Sequence, residues 1–180
     1  MKEKTSHVMQ LMKQHHSFSK IKITLALCGT LFLTHCSLIG GSGLKRAKNI
    51  TYSVPSSWIE TDSDDESDKA FKLGSGSTVT LTSSCQNSRQ ATLESLTKDL
   101  LLGARKVRFI KQEKINIANA QALFSHVNAT VEGKAFQLLF VVTKKNNCIF
   151  DFSLLSPKSI PQQEIAEFLD FAKSFNYGQS

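Results

Sequence analysis

The sequence predicts an α+β domain: a largely antiparallel β-sheet of about six or seven strands, packed with two main helices. Three observations carry this expectation. Strand-length apolar segments follow one another through short turn signals, so that neighbours pair as hairpins. Two segments instead carry apolar residues at spacings of three and four, the mark of amphipathic helices. The resulting order, β-β-β-α-β-β-β-β-α, lacks regular βαβ crossovers and no internal repeat is visible, which places the chain among α+β folds.

The elements are read from the N-terminal side of the domain. Ile50–Val54 is a short strand that ends at Pro55, and Trp58 begins a turn leading into the acidic run Asp62–Asp68. Ala70–Leu73 and Thr78–Cys85 form a hairpin joined by residues 74–77 (Gly-Ser-Gly-Ser). In the second arm Val79, Leu81, Ser83 and Cys85 share one face, because strand side chains alternate. The first helix has Thr92 as its N-cap and Glu94 in the first turn; Leu93, Leu96 and Leu100 form the stripe, and Gly103 is the stop. Strands follow near 107–113, 121–131, 135–143 and 147–155, with tight connections at residues 132–134 and 144–147. The last helix begins at Ser159-Ile160-Pro161-Gln162, a capping-box spacing with proline in the first turn. Its stripe is Ile165, Phe168, Leu169, Ala172 and Phe175.

At 180 residues the chain has room for one ordinary domain and a tail. It is 41% hydrophobic and 21% charged, which excludes disordered and coiled-coil classes. The net charge of +7 invites a nucleic-acid reading, but the charge is unevenly placed. Residues 1–35 hold five lysines (Lys2, Lys4, Lys13, Lys20, Lys22) against Glu3, so +4 lies there and +3 in the rest. The lysines precede an apolar run, Ile23–Leu33, that is too short to span a bilayer, which takes about 20 apolar residues. It suits the core of a secretory signal peptide; an uncleaved anchor or a buried helix are the alternatives. Met12 just upstream is a second candidate start. Leu33-Thr34-His35-Cys36 follows and resembles the lipobox of bacterial lipoproteins, departing from it in His35, where Gly, Ala or Ser is usual. That resemblance implies a lipid on Cys36 and, with Ser37 rather than Asp after it, an outer-membrane location facing the periplasm. The domains expected are therefore a signal peptide at 1–35, a lipidated flexible tether at 36–48, and one folded unit at 49–180. Lys45, Arg46 and Lys48 close the tether, either as a solvated linker or near anionic head groups.

Residues 52–58 (Tyr-Ser-Val-Pro-Ser-Ser-Trp) resemble the Pro-x-x-Trp opening of the PsbP/Mog1/DcrB superfamily. The mid-chain helix, the Gln121-Ala122-Leu123 strand after a polar turn, and a closing helix with Phe168, Phe171, Ser174 and Phe175 are similar too. The resemblance covers roughly residues 49–178. It implies a compact sheet-and-helix binding domain of the accessory-protein kind, and it brings no catalytic residues or cofactor with it. Ser84-Cys85 and Asn147-Cys148 also fill the cysteine positions of a subgroup of envelope lipoproteins.

Four cysteines are present. Cys28 belongs to the signal segment and Cys36 to the lipobox, which leaves Cys85 and Cys148 in the domain, both in phase with apolar neighbours. In an oxidising envelope they are most simply a disulfide; two buried thiols are the alternative. No Cys-x-x-Cys, Gly-x-Ser-x-Gly or P-loop occurs. A calcium loop starting at Asp62 fails, since its sixth and twelfth positions are Ser67 and Leu73. His126 is the only histidine beyond residue 35, so no histidine cluster can hold a metal. It is expected half-exposed on the sheet, opposite Val127. Asp151 interrupts an apolar run and, if covered, needs a hydrogen-bond donor.

The densest basic stretch, Arg105, Lys106, Arg108 and Lys111, is the candidate interaction patch, facing anionic lipid or an acidic partner. Alternating charge along an exposed strand is the simpler reading of it. The functional expectation is a non-enzymatic, lipid-anchored accessory protein of the envelope that binds a protein partner, with no cofactor and no nucleic acid. The alternative is a carrier holding a small apolar ligand or lipid between sheet and helices.

Overall fold

The computed structural model describes residues 45–63, 67–85 and 90–178. The signal segment, the lipobox and the tether up to residue 44 lie outside the described residues, as do 64–66 of the acidic run. The elements are β1 (Ile50–Thr51), β2 (Ile59–Thr61), β3 (Lys69–Lys72), β4 (Thr78–Ser84), α1 (Leu93–Leu100), β5 (Arg105–Ile117), β6 (Ala120–Val131), β7 (Lys134–Lys145), β8 (Cys148–Ser156), α2 (Gln162–Ser174) and β9 (Asn176–Tyr177). Seven strands form one antiparallel sheet in the order β2-β3-β4-β8-β7-β6-β5, and β1 pairs with β9 in a separate ribbon. The α+β architecture expected from the sequence is the one observed.

The long meander β5-β6-β7-β8 is turned by three two-residue loops whose residues all have positive φ: Ala118 and Asn119, Glu132 and Gly133, Asn146 and Asn147. That geometry matches the right-handed twist of the flanking strands, which is why such tight hairpins close. Alternation then sorts side chains to two faces. On one face, Val79 and Leu81 of β4, Phe124 of β6, Leu139 and Val141 of β7, and Phe150, Phe152 and Leu154 of β8 pack with Phe168, Phe171 and Phe175 from α2 and its end. On the other, Val127, Ala129, Val131, Leu138, Phe140 and Val142 meet α1 through Leu93, Leu96, Leu100 and Leu101. Each sheet face therefore owns one helix and one apolar cluster.

Helix α1 starts as expected, with the Thr92 hydroxyl accepting from the Ser95 amide at 3.1 Å. Helix α2 does not. It begins at Gln162, and its N-cap is Pro161 in an extended conformation without a side-chain cap bond. A residue before proline is pushed out of the helical region, which bars Ile160 from a first turn. The Ile160 amide donates instead to Gln137 Oε1 on β7 at 2.8 Å. Two short strands also escaped the sequence reading. After the turn at Ser56–Ser57, Trp58 leads directly into β2, and β9 forms only because β1 lies beside it.

Residues 45–47, counted with the tether in the sequence reading, bond to the end of β4. The Cys85 amide donates to Lys45 O (2.8 Å), the Arg46 guanidinium to Ser83 O (2.7 Å), and the Ala47 amide to Ser83 Oγ (2.8 Å). Arg46 also faces Asp68 at 3.8 Å. The chain thus joins the domain at the end of the sheet where β4 finishes.

Candidate interaction surface

Strand β5 is an edge of the main sheet. Its first eight residues, 105–112, are all exposed, whereas β6 and β7 alongside are largely buried. The pairing register explains how its side chains divide. Arg105, Arg108 and Lys111 stand opposite Thr130, Asn128 and His126, so all three share one face. Phe109 stands opposite Val127 on the other face, and two register shifts, one within 105–108 and one within 109–111, leave extra residues in the strand. Ile110 is one of them. Lys106 takes a positive φ of 51° at the first shift. A bulge of this kind bends the strand and re-aims its side chains.

The consequence is a mixed surface. Val107, Phe109 and Ile110 are 38%, 40% and 47% exposed, and Leu102, just after α1, is 50% exposed. The basic residues were legible as a patch in the sequence; the exposed apolar residues between them were missed. No local signal marked them: adjacent apolar residues such as Leu138 and Leu139 are buried on opposite faces of this sheet, and the edge position with the register shift at Ile110 leaves Phe109 and Ile110 exposed. Lys111 pairs with Glu113 at 2.8 Å, and Lys114 lies 4.0 Å from Glu94.

A cleft of about 360 Å³ opens beside this strand, lined among others by Lys106, Lys158, Asn128, Thr130, Gln137 and Ser159. No acidic side chain lines it. A smaller cleft of about 210 Å³ lies by the β3–β4 turn, lined by Trp58, Glu164 and Glu167. There the Trp58 indole donates to Glu167 Oε2 at 3.3 Å, and Ser77 Oγ bonds Glu164 Oε2 at 3.1 Å. Between sheet and α2 the space is filled by rings: Phe71, Phe152 and Phe171 stack edge to face, as do Phe152 and Phe175, at centroid distances of 5.3–5.7 Å.

Cys85 and Cys148 form a disulfide with Cα atoms 4.0 Å apart. It joins the end of β4 to the start of β8, and the Tyr177 hydroxyl lies 3.6 Å from Cys148 Sγ. Asp151 sits on the α1 side of the sheet, opposite Thr82. Its Oδ1 is out of contact with solvent and has no partner, so the donor expected for it is missing. Burial pushes its carboxyl up to about 7. Thr80 Oγ1 and Ser153 Oγ, facing one another across β4 and β8, are likewise without partners. His126 is half-buried, as expected; burial lowers its pKa, partly opposed by Gln137. Asp68 is raised by burial against the opposing effects of Ser83 and Arg46. Among the described residues no three histidine, cysteine or acidic side chains gather as metal ligands, and no helix is long and apolar enough to cross a membrane.

The fold so described, one seven-stranded antiparallel sheet with two helices among the described residues, is PsbP-like. Among solved structures the chain is similar to CyanoP, the cyanobacterial PsbP of Synechocystis sp. PCC 6803, with a TM-score of 0.54 and 18% identity over 81% of this chain and 99% of that one. It is also similar to a protein of Bacteroides thetaiotaomicron, at TM-score 0.51 and 17% identity, covering 72% of this chain but only 45% of the other. LpqN of Mycobacterium tuberculosis, described as involved in cell envelope biogenesis, aligns at TM-score 0.46 and 11% identity over 75% of this chain and 83% of its own. No protein-family model and no curated protein matches the sequence.

Proposed function

We propose that the chain is an exported, lipid-anchored accessory protein of the bacterial envelope, facing the periplasm, that works by holding a protein partner at the membrane. The observation that carries the reading is a pairing: an export-type segment ending at Leu33-Thr34-His35-Cys36, followed by a domain with a Cys85–Cys148 disulfide. Disulfides persist in oxidising compartments, so both features point the same way. Binding rather than catalysis is supported by where the chemistry sits. The space under α2 is packed with phenylalanine rings, while large apolar side chains stand on the outside at the two sheet edges, with Ile59 on β2 at 69% exposure.

The test is twofold. Palmitate labelling of the expressed protein should disappear in Cys36→Ala, with loss of membrane partition; labelling that survives the substitution removes the lipoprotein reading. A photo-crosslinking residue at Ile59 should capture one defined envelope protein, and the same residue at the buried Leu154 should capture none.

A further inference from the structure

We infer that the β5 edge is a docking surface for an anionic bilayer, so that the anchored domain lies on its side with β5 against the headgroups. This rests on the lipid-anchor reading and deepens it, by naming what the surface meets once the lipid is inserted.

Three observations converge. The first is chemical. Arg105, Arg108 and Lys111 share one face, where Lys111 also pairs with Glu113; Lys106 and Lys158 line the adjoining acid-free cleft; Val107 and Ile110 are exposed along the same edge, Phe109 on its other face and Leu102 just after α1. Cations at headgroup level with apolar side chains dipping below are what an anionic interface attracts. The second concerns the strand's own backbone. Two register shifts and the positive φ at Lys106 break the regular ladder edge in 105–111, the devices by which edge strands avoid pairing with another strand. A strand added from a protein would need that edge intact; a fluid surface needs only the side chains.

The third is reach. The chain enters the domain at Lys45, bonded to Cys85 where β4 ends. Arg108 is level, through Asn128 and Gln137, with Ser156 at the far end of β8. The patch is therefore about 25–30 Å along the strands from the entry point. It is also about 19 Å across four strand spacings, from β4 to β5. Nine residues from Cys36 to Lys45 cover about 30 Å at full extension. Lying on β5 raises the entry point only about 19 Å above the headgroups, within that reach, so an anchor at Cys36 lets the domain lie down on β5 and leaves the opposite edge, β2 with Ile59, turned away from the membrane.

The experiment uses the chain from residue 36 onward with Cys36→Ser, so that no lipid contributes. It is sedimented with vesicles of phosphatidylglycerol and phosphatidylethanolamine, and with vesicles of phosphatidylcholine alone. Binding to the anionic vesicles only is expected, weakening about tenfold or more in Arg105→Glu/Arg108→Glu/Lys111→Glu. A comparable loss is expected when salt is raised. Phe109→Ser/Ile110→Ser should weaken binding at constant charge. Trp58 fluorescence and thermal unfolding confirm that each variant is folded; if the charge reversal unfolds the chain, the salt dependence and Phe109→Ser/Ile110→Ser decide. Equal binding to both vesicle types, or binding indifferent to salt and to both variants, overturns the proposal. So does intact vesicle binding in a variant that has lost capture of an acidic protein by crosslinkers placed on β5. Because the chain is unlipidated, these outcomes are separate from the palmitate result.

Discussion

Asp151 shows how one side chain can set the pH dependence of a small domain. Its Oδ1 is cut off from solvent and unpartnered, and burial holds the carboxyl near pH 7 against an ordinary value of 3.8. The folded state therefore binds a proton that the unfolded chain has released. The stability linked to that proton is fully present below about pH 4 and is lost as pH rises through 7. Asp151→Asn should flatten this slope and stabilise the protein at pH 8 by about 1–3 kcal/mol, because a buried unpaired charge becomes a neutral amide. Urea unfolding at pH 5 and pH 8 measures it; an unchanged difference between the two pH values in the variant refutes the account. His126 acts with the opposite sign, since burial favours its neutral form and the linked stability is lost as pH falls below 6.5. The sequence made Asp151 conspicuous, as a carboxylate inside an apolar run. It could not show whether a donor would arrive, because the residue that stands opposite it, Thr82, is set there only by the β4–β8 register.

At the scale of elements, the hairpins were easier to read than the ends of the helices. Glu132-Gly133 and Asn146-Asn147 are turn formers with a local mechanism, and both turn as expected. The β5–β6 loop is different: Ala118, with φ 49°, occupies a left-handed position that a Cβ disfavours. Ala118→Gly should therefore raise stability by about 1 kcal/mol, read as a higher urea midpoint at unchanged slope. A lower midpoint would show that glycine's unfolded-state entropy outweighs the relief. The start of α2 departs from the capping-box spacing for one local and one non-local reason. Ser159 and Gln162 have capping-box spacing, yet Pro161 forces Ile160 out of the helix and Gln137, from β7, takes its amide. A pattern of four residues carries no information about a glutamine 23 positions away.

Across the whole molecule, the disulfide ties together strands that are neighbours in space and 63 residues apart in sequence. Between its cysteines run α1 and the β5-β6-β7 part of the meander, so the cross-link restricts a large share of the unfolded chain. By loop entropy it should contribute about 4 kcal/mol. Cys85→Ala/Cys148→Ala is expected to lose about 2–4 kcal/mol in denaturant unfolding, followed by the emission of Trp58, the single tryptophan. A loss under 1 kcal/mol would mean that the surrounding core, with Phe150, Phe175 and Tyr177 in ring contact, holds the two strands unaided.

By itself the sequence determined the class of fold and the main strands and helices. It also marked the basic run and the two domain cysteines, because each of these is written in local periodicity, turn chemistry or residue type. Tertiary structure alone decided what the basic run is part of. Alternating side chains say which residues share a face, but exposure depends on which strand ends at an edge. The strand order puts β5 at one edge and β2 at the other. That placement, with the two register shifts, turns Val107, Phe109 and Ile110 outward among the arginines and lysines. The same strand order sets β4 against β8 and so brings Cys85 to Cys148. Both depend on long-range pairing, whose partners are fixed by how the whole apolar surface can be buried at once, and no stretch of the chain encodes that alone.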